Sequence, residues 1–217
     1  MPGIGFFGGT FNPIHIGHVR LAVEAREQLG FDRVELMPAA VPPHRSDPDM
    51  LPFDIRFELV RLAADGDDRL SANPIESERE GPSYTFDTLN ELNRRMPDDE
   101  VWFIMGAGEF TALGSWHKGL EIPSMVNLAV ADRGGSLLEA ETFLKNKWPE
   151  FEQADRHLWK NAQGKRVAFF SVPKLEISGT DIRDKWRNGL SIRGLVDARV
   201  EEELNARRGE VDAAWNE

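Results

Sequence analysis

Cysteine is absent from the 217 residues. Disulfides and thiolate metal sites are thereby excluded, and a cytoplasmic, reducing setting is the default expectation. Long apolar runs are absent too. Nothing approaches the roughly 18 residues that a membrane helix needs, and "MPGIGFFGGT" lacks the basic segment and long apolar stretch of a secretory signal. Positive charge is scarce, with 26 Lys and Arg against 37 Asp and Glu and a net charge of −11. That balance disfavours extended nucleic-acid binding, which depends on neutralising many phosphates. It leaves room for a small phosphorylated ligand, which needs only a few local cations and amides. No internal repeat or low-complexity segment is present. What remains is ordinary globular material, 41% hydrophobic and 29% charged, in a length that suits one domain.

Short apolar runs alternate with amphipathic stretches. "GIGFF", "RVELMPA", "LSANPIESE", "EVWFIMG", "VNLAVADR" and "RVAFFSV" read as extended segments. Helices are expected in "GHVRLAVEAREQLG", "FDIRFELVRLAAD" and "GPSYTFDTLNELNRRM", the last capped by Ser83 or Thr85. "GAGEF" reads as a glycine turn. The stretch around 134–165 reads as a polar, helix-prone insertion, and closing helices are expected across 180–208. Strand–helix alternation of this kind predicts one α/β domain over residues 1–217. Its sheet should be doubly wound and mostly parallel, with ligands beyond the carboxyl ends of the strands. The acidic insertion and the tail "RRGEVDAAWNE" are the candidate surfaces for a homo-oligomer.

"GGTFNPIHIGH" (Gly8 to His18) stands where the first strand turns into the first helix. Glycines there let a ligand approach the backbone, and the helix start offers free N–H groups and the positive dipole end. Gly8, Gly9 and Thr10 therefore read either as an anion cradle or as a plain tight turn. The G-x-G-x-x-G spacing and the Walker Gly-Lys-Ser/Thr are both missing. His15 and His18, three apart, can share a face and serve phosphate oxygens. The alternative is one helix-capping and one buried histidine. A metal site completed by His44 is a third reading, but the spacing matches no common zinc pattern.

The H-x-G-H element in "PIHIGH", with "GGTFN" before it, resembles the signature of the nucleotidylyltransferase superfamily. Far downstream, "ISGTDIR" (Ile177 to Arg183) resembles that superfamily's I-S-S-T-x-I-R box. Ser178 or Thr180 can cap a helix there, from whose first turn Arg183 projects. Three further segments resemble the nicotinate mononucleotide adenylyltransferase branch. They are "VPPHR", "PSYTFDTL" and "GAGEFTALGSWHKG", the last carrying Trp116. A tRNA synthetase fragment would need a K-M-S-K-S-like loop, which is missing.

The resemblance implies a Rossmann-like nucleotidylyltransferase fold and adenylyl transfer from ATP to nicotinate mononucleotide. ATP would lie along Gly8, Gly9, Thr10, Phe11 and the histidine-bearing helix. Gly106 and Gly108 would also contact it, while Ile177, Ser178, Thr180 and Arg183 close over it. His15, His18 and Arg183 would carry the catalysis, with Arg45 and Arg183 on the outer phosphates and Mg²⁺ arriving with ATP. The mononucleotide side would comprise Asn12, His44, Ser83, Tyr84, Thr85, Trp116, His117 and Arg133. The ring would stack near Trp116, and backbone amides around Thr85 and His117 would meet its carboxylate. Arg133 would meet a phosphate or remain a surface arginine. Two positions depart from the branch. Gly108 stands where it has an aspartate on the ribose, a contact that Glu109 could supply, and Gly179 stands where it has serine. A sibling enzyme acting on nicotinamide mononucleotide or phosphopantetheine, and a nucleotide-binding regulator without catalysis, are the competing readings.

Overall fold

The computed structural model describes residues 3–43, 48–135 and 137–215. Its centre is an eight-stranded sheet in the order β3-β2-β1-β4-β5-β8-β7-β6. The strands are β1 (Ile4–Gly9), β2 (Arg33–Pro38), β3 (Leu70–Ala72), β4 (Val101–Gly106), β5 (Asn127–Asp132), β6 (Glu152–Asp155), β7 (Leu158–Lys160) and β8 (Arg166–Ser171). Every pairing from β3 through to β8 is parallel, whereas β7 is antiparallel to both of its neighbours, β8 and β6.

The sheet is apolar on both faces because helices cover both. One face packs on α1 (Ile16–Leu29), α2 (Phe53–Ala64), α7 (Gly179–Arg187), α8 (Ala198–Ala206) and α9 (Arg208–Trp215). The other packs on α3 (Thr85–Arg95), α4 (Ala107–Thr111), α5 (Ile122–Met125) and α6 (Leu137–Lys147). Along β1, Phe7 enters the first core while Ile4 and Phe6 enter the second. No helix among the described residues is long and apolar enough to cross a membrane.

Three expectations are corrected. The insertion is helical only in its first half; its second half is the β6–β7 hairpin, which extends the sheet. All four residues of β6 are exposed, so this edge strand has no apolar alternation to betray it. The extended reading of "LSANPIESE" holds only for β3, after which Ile75–Glu78 form a 3-10 turn. "GAGEF" is not a bare turn, because Ala107 and Phe110, three apart and both buried, make it the short α4. The tail is helix α9, whose Val211 and Trp215 are fully buried within the chain. Trp215 meets Trp186 of α7 edge-on with ring centroids 5.7 Å apart, and Trp186 Nε1 donates to Asp212 at 2.7 Å.

Strand order reverses at β1, which has β2 on one side and β4 on the other. The carboxyl ends of β1 and β4 therefore open a crevice, the usual ligand position in such sheets.

Candidate active site

A cavity of about 600 Å³ occupies that crevice. Its floor is the turn from β1 into α1. A Cβ on Gly9 would stand 2.9 Å from the Phe11 ring, so this glycine is required by the fold. A Cβ on Gly8 would meet nothing closer than Phe103 at 3.4 Å, an ordinary contact. The bare backbone at Gly8 is thus left to the cavity. Phe11 takes a left-handed φ of 49° and is buried beneath the turn.

His15 is the N-cap of α1, and its ring stacks on His18 with centroids 3.6 Å apart. The glycine between the two histidines has a physical reason. A Cβ on Gly17 would stand 3.0 Å from His15 Nδ1, so any larger residue would push the folded-back ring aside by a few tenths of an ångström. The His15 backbone N–H donates to His18 Nδ1 at 3.3 Å. That acceptor role leaves the proton of a neutral His18 on Nε2, making Nε2–H the ring's donor. Burial, then the charge of Arg133, lowers the His15 pKa from 6.5 to about 4. Burial, His15 and Arg133 in that order hold His18 well below its ordinary value. Both rings are therefore neutral hydrogen-bond donors at pH 7.

This has a consequence for stability. An unfolded histidine titrates near 6.5 and His15 in the folded chain near 4. Between these values the unfolded state binds the additional proton, so acid favours unfolding. The contribution of His15 is fully present above about 6.5 and lost as pH falls through about 4. Urea midpoints should fall from pH 7 to pH 5, and His15→Asn should flatten that slope.

Several polar residues expected at the ligand line the cavity and also hold the cradle together. The Asn12 side chain donates to the Asp49 carbonyl at 2.8 Å and accepts from Leu51 N–H at 3.1 Å. It lines the cavity and at the same time staples the loop beside it. Ser83 is not the α3 cap; it lines the cavity, and its Oγ accepts from the amides of Ala40 and Val41, each at 3.0 Å. Tyr84 is the N-cap of α3, and Thr85 is its first residue. Arg183 is 6% exposed and donates to the Asn12 carbonyl at 2.8 Å, so its first task is to fix the α1 entry. Ser178 caps α7 by accepting from Asp181 N–H at 3.1 Å.

Gly179 is explained by the same contact. A Cβ there would stand 2.8 Å from the Asn12 carbonyl oxygen and 3.5 Å from the Arg183 guanidinium. Gly179→Ala should cost about 1–3 kcal/mol through overpacking, read as a lower thermal midpoint. An unchanged midpoint would contradict this account.

The opposite wall carries Tyr84, Thr85, Trp116 and His117. Trp116 is half-buried at the end of a 3-10 turn, and His117 lies against Tyr84 with centroids 4.4 Å apart. Arg133 is exposed at the cavity rim. Gly106, Ile177 and Thr180 also line the cavity; Gly108 does not, whereas its neighbour Glu109 does. The ribose-side expectation thus moves from Gly108 to Glu109. His44 and Arg45 lie outside the described residues.

Two buried residues escape the motifs. Arg56, 1% exposed, donates to the carbonyls of Leu51 at 2.9 Å, Thr10 at 2.8 Å and Ala40 at 3.5 Å. Its position on the apolar stripe of α2, with Val60 and Ala63, was the available signal. The other is Glu76, for which "PIESE" gives none. Among the described residues no group of three His, Cys, Asp or Glu could hold a metal ion.

Residues 6–185 match the model of the cytidylyltransferase-like family. A curated protein of Maridesulfovibrio salexigens, named "probable nicotinate-nucleotide adenylyltransferase", is 34% identical over 217 residues, covering 98% of this chain and 99% of that one. One from Geobacter metallireducens with the same name is 38% identical over 208 residues, covering 94% and 96%. The solved structure of Plasmodium falciparum nicotinic acid mononucleotide adenylyltransferase complexed with NaAD superposes with a TM-score of 0.73. At 17% identity, covering 97% of this chain and 98% of that one, it shows a shared fold.

Proposed function

This chain belongs to the cytidylyltransferase-like family, and from that membership and its site we infer that it transfers the adenylyl group of ATP to nicotinate mononucleotide. The products are nicotinate adenine dinucleotide and pyrophosphate, a step of NAD biosynthesis. The observation that carries this reading is a single cavity joining two walls. One offers paired imidazoles and bare backbone for a triphosphate, and the other offers an indole beside helix-start amides for a pyridine carboxylate.

The nucleophile is the phosphate of the mononucleotide, already anionic at pH 7, so no strong general base is needed. It attacks the α-phosphorus of ATP in line, a new P–O bond forms, and the bond to pyrophosphate breaks. Catalysis is then positioning and stabilisation of charge on the phosphoryl oxygens. His15 and His18 donate to the α- and β-phosphate oxygens, and Arg133 adds charge at the rim. Arg183 holds the Asn12 backbone, and with it the start of α1, at the right distance. Mg²⁺ would arrive with the triphosphate of ATP and would supply charge neutralisation for the leaving pyrophosphate. A cytoplasmic setting fits the cysteine-free sequence.

Backbone amides at the start of α3 suit a carboxylate better than a neutral carboxamide. Pyrophosphate release should therefore be strongly preferred with nicotinate mononucleotide over nicotinamide mononucleotide, each supplied with ATP and Mg²⁺. Release with neither, despite ATP binding, would favour a nucleotide-binding regulator.

A further inference from the structure

The cavity wall contains a carboxylate that adenylyl transfer does not use. Glu76, in the 3-10 turn Ile75–Glu78, is 7% exposed. A buried carboxylate beside the seats of two anionic substrates is costly unless its neighbours compensate it. Here they do. Glu76 Oε1 accepts from Thr88 Oγ1 at 2.9 Å, and Thr88 Oγ1 accepts from Arg79 at 2.9 Å. The Ser83 hydroxyl and the Ala40 amide lie beside the same carboxylate, and its charge helps to keep Arg56 protonated. Burial raises the Glu76 pKa, against the pull of Ser83, Thr88, Arg79 and Ala40. Oε2 is buried without a hydrogen-bond partner, while Oε1 ties the group to Thr88 and so to the wall.

Three wall segments meet at this point. Ser83 binds the amides of Ala40 and Val41, and its own N–H donates to the Val41 carbonyl at 2.8 Å. Thr88 belongs to the first turn of α3, and the Tyr84 carbonyl, 3.3 Å from its Oγ1, is the alternative acceptor for its one proton, so the Glu76 contact is tied to the start of α3. We propose that Glu76 is the positioning residue of the pyridine-nucleotide half of the site, setting the Tyr84–Thr85 backbone against the Pro42–Pro43 wall. The proposal rests on the reading that nicotinate mononucleotide binds at Tyr84, Thr85 and Trp116.

Thr88 gives the cleanest test, because it is 1% exposed and does not line the cavity. Steady-state kinetics of Thr88→Val and Glu76→Gln should show KM for nicotinate mononucleotide raised about tenfold, with kcat and KM for ATP within about twofold. Thr88→Ser, which keeps the hydroxyl, should behave as the wild type. The double variant should be no worse than Glu76→Gln, since the two residues act as one unit. An unchanged KM for the mononucleotide in Thr88→Val, or both KM values rising together, would overturn the proposal. If Glu76→Gln does not accumulate in folded form, the Thr88 pair decides the matter alone. Wild-type protein inactive on nicotinate mononucleotide would instead overturn the substrate reading, and the proposal with it.

Discussion

His18→Ala lowers kcat by roughly 10²–10³-fold, the usual cost of removing one donor aimed at developing oxyanion charge. The His18 ring is stacked on His15 and meets Phe11 edge-on at 5.0 Å, so its direction is fixed before substrate arrives. With Nδ1 occupied by the His15 amide, Nε2–H is the donor that remains for a phosphate oxygen. Alanine removes that donor and also frees the His15 N–H, a loss of about 1 kcal/mol at the helix start. Single-turnover rates separate the two effects. The chemical step slows by orders of magnitude, while the thermal midpoint moves by only a few degrees. A variant with near-normal turnover would remove His18 from the mechanism.

Arg56→Met is expected to cost about 4 kcal/mol of stability while touching no substrate. Burial draws the Arg56 pKa down to about 10, so the group stays charged at neutral pH. It donates to three carbonyls, from Leu51, Thr10 and Ala40. Methionine has similar length but leaves those acceptors inside the fold, at about 1–3 kcal/mol each where no replacement is found. In a chain of this size the thermal midpoint should fall by about 8–16 °C. Because Thr10 belongs to the cradle floor, ATP binding should weaken as well. Arg56→Lys, a point charge without the planar fork, should recover only part of the loss. A shift of less than a degree or two would show the network to be dispensable.

The two ends of the site were legible because their chemistry is local. A glycine turn before a helix, histidines three apart and a serine cap all signal within a few residues of themselves. Even Gly17 and Gly179, one inside a motif and one departing from it, have reasons that act over a few ångströms. Asn12, Ser83 and Arg183 were legible as members of the site, but the hydrogen bonds they make within the fold were not. Whether an amide faces a ligand or a carbonyl 37 residues away is decided by the packed loop, which no short pattern encodes. The fold followed from strand–helix alternation through β5, because doubly covered strands are continuous apolar runs. It failed at β6, where an exposed edge strand made of polar residues resembles helix or loop.

The docking of α9 on α7 bears on how firmly one wall of the cavity is held. Arg187 of α7 donates to the Trp215 carbonyl and pairs with Asp49 at 2.5 Å, while Trp186 takes Trp215 as its edge-on partner. Helix α7, which brings Gly179, Thr180 and Arg183 to the cavity, is thus braced from outside it by α9. Deleting residues 208–215 would leave every cavity-lining residue in place but take the indole partner from Trp186. Such a truncation should therefore weaken ATP binding through the loss of a brace remote from the ligand.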